Sequence, residues 1–177
     1  MPGTHHLFTV TRGVLRLATL CCLGLIALLG MAMGAVALMA VGKLNLPIPA
    51  NEFQGVPMGE VLGAGALALG AGEICLALVV WMLMLTARII DTASHGDPFV
   101  TVNADRLNGI AWLFLAMQVV GLVFDTVINM FPDKIKDHVN LGIDVSATGI
   151  LAALLIFVLA QIFRRGSEMR AELEGTV

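Results

Sequence analysis

Long apolar runs separated by short polar segments dominate the pattern of this chain. The four runs cover residues 17–41, 61–87, 107–131 and 143–163, which is more than half of the 177 residues. A helix needs about 20 apolar residues to cross about 30 Å of hydrocarbon at about 1.5 Å per residue. Each run is therefore long enough to span a membrane. The pattern predicts an all-α, integral membrane four-helix bundle that forms a single domain over residues 1–177.

The polar segments predict how the helices begin and end. In the segment 88–106, Pro98 and the aspartate before it predict a turn, after which Thr101 or Asn103 can cap the third helix. The fourth helix is expected to continue past its apolar run into a polar tail, residues 164–177.

Composition supports a membrane protein. Hydrophobic residues make up 58% of the chain and charged residues 13%, whereas a soluble domain has about 25% charged residues. The first apolar run exceeds the roughly 7–15 residues of a signal-peptide core, so it is expected to be retained as a helix. The net charge of −3 is too small to indicate a strongly acidic or basic partner.

Arginine and lysine fall on opposite sides of the predicted topology. The seven arginines are Arg12, Arg16, Arg88, Arg106, Arg164, Arg165 and Arg170, and the three lysines are Lys43, Lys134 and Lys136. Positively charged residues accumulate in the cytoplasmic loops of membrane proteins. The partition therefore predicts that both termini are cytoplasmic. The cytoplasmic acidic residues nearly balance these arginines, so direct nucleic-acid binding is not expected.

Small residues at helical spacing indicate where helices approach one another closely. Gly30 and Gly34 form one such pair, and Gly59 and Gly63 form another. A further face of the second helix is made of Ala66, Gly70, Glu73 and Ala77. Such patterns permit close packing either between helices of one chain or between two copies, so a homo-oligomer remains an alternative.

Several polar side chains lie within the apolar runs. They are Glu73, Gln118, Asp125, Asn129 and Asp144. Charged groups in the hydrocarbon are costly, so these side chains are expected to face the bundle interior. One interpretation is an outward-opening site for a cation, a proton or an amine. The other is a set of protonated carboxyls hydrogen-bonded to neighbouring helices, with Asp144 as a helix cap.

The residues that usually carry catalysis do not form a recognised pattern. All four histidines lie outside the apolar runs, and no motif for a metal, haem or phosphate is present. The three cysteines, Cys21, Cys22 and Cys75, lie within apolar runs and have no CxxC spacing. A membrane thiol-redox enzyme is therefore a third possible class of function, and the sequence does not favour it. We expect no cofactor, no metal and no enzymatic activity.

Two segments resemble a known family. Residues 96–107 read GDPFVTVNADRL and are followed by IAW at 110–112, while the tail contains IFRRG at 162–166 and ends in ELEGTV at 172–177. This combination resembles the bacterial membrane family known as domain of unknown function 2975. Gly175 stands where other members often have leucine.

The resemblance implies a bacterial inner-membrane protein, often encoded beside a small helix-turn-helix regulator of the Cro/C1 type. The predicted function is a non-enzymatic membrane module, in contact with the lipid bilayer, that binds or regulates such a cytosolic partner. The alternative is a small sensor or transporter using Glu73 and Asp125. The candidate partner-binding residues are Pro98, Phe99, Asn103, Arg106, Arg164, Arg165, Glu174, Gly175, Thr176 and Val177.

Overall fold

The computed structural model describes residues 3–45, 53, 55–94, 98–139 and 146–174. Within these ranges the chain is helical and contains no β-strand. The helices are α1 (Gly3–Ala40), α2 (Met58–Ser94), α3 (Thr101–Ile128), α4 (Asp133–Lys136) and α5 (Ala147–Glu174). The prediction of an all-α fold with four long apolar helices is confirmed.

The four long helices define a multi-pass membrane protein. Their candidate membrane spans are Thr9–Ala40, Met58–Ser94, Thr101–Ile128 and Ala147–Leu173. Many large apolar side chains on these helices are exposed, including Leu20 at 67% and Leu155 at 61%. Such exposure would be unfavourable in water but is expected for side chains that face lipid.

The helices start and end at different residues from the apolar runs. α1 extends beyond its run at the N-terminal side, to Gly3, and α2 extends beyond its run mainly at the C-terminal side, to Ser94. α5 begins at Ala147 rather than at 143, where the Ser146 hydroxyl accepts a hydrogen bond from the Gly149 N–H at 2.9 Å. This serine is the N-cap. Asp144, the predicted cap, lies outside the described residues.

The region after α3 differs most from the prediction. α3 ends at Ile128 rather than at 131, and a four-residue helix, α4, follows Pro132. The α4 residue Ile135 is 1% exposed and packs in the core. One apolar residue in a single turn leaves no periodic signal, so the sequence pattern did not predict this helix.

Tertiary contacts divide the chain into two units, and the basic residues divide with them. The first unit contains α1 up to Cys22, residues 78–116 and α5, and holds all seven arginines. We call it the arginine unit. The second contains residues 23–77 and 117–145 and holds all three lysines, and we call it the lysine unit.

In the lysine unit, small residues of α2 pack against larger ones of α3. The buried core consists of Ala64, Ala71, Phe124, Ile128 and Ile135. Because lipid provides no hydrophobic drive for helix association, this fit of alanine against bulky side chains supplies the packing.

Another side of α2 approaches α1 through glycines. A Cβ on Gly70 would lie 3.6 Å from Met33 Cε, and one on Gly72 would lie 3.6 Å from Leu29 Cδ1. In the predicted pair Gly30 and Gly34, Gly30 lies close to α2, but nothing from a neighbouring element lies within 4 Å of a Cβ built on Gly34. The same is true of Gly59 in the other predicted pair. Close approach within the chain therefore involves only part of the predicted glycine pattern.

Candidate functional site

One buried amide ties residues 98–100 to the first turn of α3. Asn103 is fully buried, its Nδ2 donates to the Pro98 carbonyl at 3.0 Å, and its Oδ1 accepts from Arg106 Nη1 at 2.9 Å. The Asn103 N–H also donates to the Val100 carbonyl at 2.9 Å. Asn103 is therefore not the N-cap that the pattern suggested. It lies in the first turn of α3, where its side chain ties the helix to the preceding loop.

Arg106 joins the start of α3 to the end of α2. Its Nη1 donates to the Arg88 carbonyl at 2.9 Å and to Thr92 Oγ1 at 2.7 Å, in addition to its bond with Asn103. Arg88 lies in the last two turns of α2, where its carbonyl also accepts a hydrogen bond from Thr92 Oγ1 at 2.8 Å. The guanidinium thus stabilises both helix ends at once.

Phe99 and α5 are in close contact. The ring centroids of Phe99 and Phe163 are 5.1 Å apart, and a Cβ on Gly166 would lie 3.0 Å from Phe99 Cδ1. Thr101 Oγ1 donates to Ser167 Oγ at 3.4 Å. The absence of a side chain at position 166 is what allows the Phe99 ring to lie against the α5 backbone.

Arginines also link the other helix pairs of the arginine unit. Arg164 Nη2 lies 2.7 Å from Asp105 Oδ1 and joins α5 to α3, although both side chains are about half exposed. Arg12 Nε lies 2.8 Å from Asp91 Oδ1 and joins α1 to α2. Exposed pairs of this kind contribute little stability each, about 0–1 kcal/mol. Their main effect is to fix the positions of the helix ends.

The remaining tail candidates lie at or beyond the end of α5. Arg165 is exposed and has no hydrogen-bond or ion-pair partner within the part of the chain that is described. Glu174 is the last residue of α5. Gly175, Thr176 and Val177 lie outside the described residues. Upstream of them, Met169 and Leu173 are 60% and 71% exposed.

Glu73 and Asn129, two of the intramembrane polar residues that the structure describes, have different surroundings. A Cβ on Gly30 would lie 3.4 Å from Glu73 Oε1, so the Glu73 carboxyl faces α1. Asn129 is exposed, and its Nδ2 donates to the Asp125 backbone carbonyl at 2.7 Å rather than to the Asp125 carboxyl. Gln118 is half-buried.

Neither a metal centre nor a paired thiol is found in the regions that the structure covers. No group of three or more His, Cys, Asp or Glu residues is placed to hold a metal there. The cysteines are all free: Cys21 is exposed, Cys22 half-buried and Cys75 buried.

Sequence reasoning missed several partners of the predicted residues. For Arg106 and Arg164 these partners are Thr92 and Asp105. The sequence also did not indicate the contacts of Arg12 with Asp91 and of Thr101 with Ser167. The sequence shows that Arg164 and Asp105 carry opposite charges, but the two residues are 59 positions apart. No sequence pattern indicates which acidic residue pairs with which arginine.

These features are those of a helical multi-pass membrane protein. In its arginine unit, arginine side chains join the ends of neighbouring helices. Residues 45–177 match the model of the family described as "Protein of unknown function (DUF2975)", and the chain belongs to this family. The match includes α2 to α5 and excludes α1. No curated protein and no solved structure gives a significant match to the chain.

The Arg106 contacts lead to a stability prediction. Arg106→Gln removes the hydrogen bonds to α2 and leaves the buried Asn103 Oδ1 without its donor, so we expect the free energy of unfolding to fall by about 1–3 kcal/mol. Unfolding in mixed micelles by titration with a denaturing detergent measures it. The control is Arg165→Gln, which removes the same charge from an exposed site and should change stability by less than about 0.5 kcal/mol. Equal losses in the two variants would contradict the assigned role of Arg106.

Proposed function

We propose that the chain is a non-enzymatic membrane module whose arginine unit binds or regulates a cytosolic protein, such as a small helix-turn-helix transcription regulator. In this proposal the protein resides in a bacterial inner membrane with both termini in the cytoplasm. The lipid bilayer supports the module, and the partner is recognised at the surface formed by the α2–α3 loop and the end of α5.

The orientation is supported by the segregation of basic residues. All seven arginines belong to one unit and all three lysines to the other. A bias of arginine and lysine toward the cytoplasm is the main determinant of membrane-protein orientation. Seven against three favours a cytoplasmic arginine unit.

The observation that carries the proposal is a set of contacts between α5 and residues 99–105. α5 continues as a helix from the apolar run to Glu174, and three contacts hold it against the start of α3. The contacts are Phe99 with Phe163 and Gly166, Thr101 with Ser167, and Asp105 with Arg164. A surface that is already ordered loses little conformational entropy when a partner binds.

The composition of this surface suits a protein partner. Phe99 is 44% exposed and Met169 is 60% exposed, while Arg165 and Glu168 are exposed polar neighbours in sequence. Aromatic residues, methionine and arginine are enriched in protein–protein interfaces. Met169 follows Arg164 and Arg165, and in this proposal those arginines mark the cytoplasmic edge of the membrane, so that Met169 is available to a soluble partner.

Labelling of single cysteines tests the orientation. In a background with Cys21, Cys22 and Cys75 replaced by alanine, Asp137→Cys should react with a membrane-impermeant maleimide in intact cells, and Glu168→Cys should react only after lysis. Both positions are exposed, so accessibility to the reagent depends on the side of the membrane. Reaction of Glu168→Cys in intact cells would place the arginine unit outside and overturn the proposal.

Binding to a purified regulator tests the function. The full-length protein in nanodiscs should retain a Cro/C1-type helix-turn-helix protein encoded beside its gene. The double variant Arg165→Glu/Met169→Asp should weaken binding about tenfold or more, as expected for the loss of central interface contacts. Lys43→Glu reverses an exposed charge in the lysine unit and is the matched control, with unchanged affinity. Equal retention by both variants, or by empty nanodiscs, would contradict the proposal.

A second candidate function, a small-ligand or ion sensor, is favoured by the position of Glu73. Its carboxyl lies at the close approach of α1 and α2, beside Gly30, and has no hydrogen-bond partner in the described ranges. Ionisable groups within a membrane commonly mark ion or proton pathways. Protonation or cation binding at this position would change the α1–α2 contact. Asp125 would be a second step in such a pathway.

Near-isosteric variants distinguish this sensor from a packing role. Glu73→Gln and Asp125→Asn keep the side-chain shape but cannot ionise. If the carboxyls sense an ion, both variants should fail to complement a deletion strain while retaining wild-type thermal stability. Glu168→Gln is the control on an exposed acid of the arginine unit. Full complementation by both variants at acidic and neutral pH would show that the carboxyls serve only packing.

A further inference from the structure

A groove between α1 and α2 in the arginine unit combines an apolar floor with a basic rim. It has a volume of about 380 Å³. Its apolar lining comes mainly from Leu15, Leu20, Met84 and Ala87. Arg12, Arg16 and Asp91 also line it. The proposed partner surface uses none of these residues, so the groove is a separate feature.

The two arginines of the rim differ in their contacts. Arg12 is held by Asp91 at 2.8 Å and by Ser94 Oγ at 2.5 Å. Arg16, one helical turn further on, is exposed, and no hydrogen bond or ion pair engages it within the described part of the chain. Two guanidinium groups and one carboxylate leave a net positive charge at the rim. A group that binds here should therefore be an anion.

The location of the groove identifies the source of that anion. Arg16 immediately precedes the first apolar run, and Ala87 is the last residue of the second, so the rim lies where the hydrocarbon ends. Between Arg12 and Leu20 the groove follows α1 for about 12 Å at about 1.5 Å per residue, into the membrane-spanning part. A soluble anion would meet the rim but has no chemistry that suits the apolar floor. A phospholipid has both a phosphate and an acyl chain.

We infer that this groove binds an anionic phospholipid, with its phosphate at Arg16 and the upper part of one acyl chain along Leu15, Leu20, Met84 and Ala87. The volume equals that of roughly a dozen groups the size of a water molecule, at about 30 Å³ each, which accommodates a segment of one chain. Arg12 orients the site, because its bonds to Asp91 and Ser94 fix α1 against α2 and thereby keep the groove open. Basic pockets between membrane helices bind acidic head groups by the same chemistry.

The test uses the full-length protein in a neutral detergent, titrated with phosphatidylglycerol, phosphatidylcholine or inorganic phosphate. Lipid binding is read from native mass spectrometry and from the midpoint of thermal unfolding. Wild-type protein should bind phosphatidylglycerol in preference to phosphatidylcholine, and inorganic phosphate should not compete. Arg16→Gln should reduce the affinity for phosphatidylglycerol about fivefold, the contribution expected of one basic side chain at an anionic surface. Lys43→Gln removes an exposed basic side chain of the lysine unit, outside the groove, and should leave the affinity unchanged.

A second variant tests the apolar floor. Ala87→Phe fills the groove and should reduce binding of both lipids, while circular dichroism and the unfolding midpoint without lipid report whether the variant is folded. If that variant does not fold, the comparison of Arg16→Gln with Lys43→Gln decides alone. Equal affinities in those two variants, equal binding of the two lipids to wild-type protein, or competition by inorganic phosphate would each overturn the inference.

Discussion

The fold depends on the fact that lipid provides no hydrophobic drive to bring helices together. Apolar side chains of the spans have the same environment whether they face lipid or another helix, so association requires close packing or hydrogen bonds. The two units meet this requirement differently. The lysine unit uses small residues, with Ala64 and Ala71 against Phe124 and with Gly70 and Gly72 against α1. The arginine unit adds polar contacts at the helix ends.

The arginines have two roles, and a different property of the side chain accounts for each. Their positive charge favours the cytoplasmic side of a membrane. The guanidinium also carries five N–H donors, which suit the carbonyls, hydroxyls and carboxylates near helix ends. Arg12, Arg106 and Arg164 use these donors to join α1 to α2, α2 to α3, and α3 to α5.

These contacts distinguish the arginines with a structural role from the arginines whose side chains are available to ligands. Arg106 and Arg164 were candidate partner-binding residues, but their side chains bond within the chain. Arg16 and Arg165 are exposed and have no such bonds in the described ranges, and they are the residues that we assign to a lipid and to a protein partner. The family match covers Arg165 but not α1, which carries Arg16.

The sequence by itself determined the number of long helices, their membrane character and the continuation of α5 beyond its apolar run. These properties depend on local hydropathy and length, which are encoded within each segment. Tertiary structure alone decided that Asn103 bonds to Pro98, that Phe99 packs against Gly166, and that Arg164 pairs with Asp105. It also revealed α4, whose Ile135 is buried in a core that it shares with residues of α2 and α3. Such contacts join residues that are distant in sequence, and they depend on which faces of the helices meet, which no local pattern specifies.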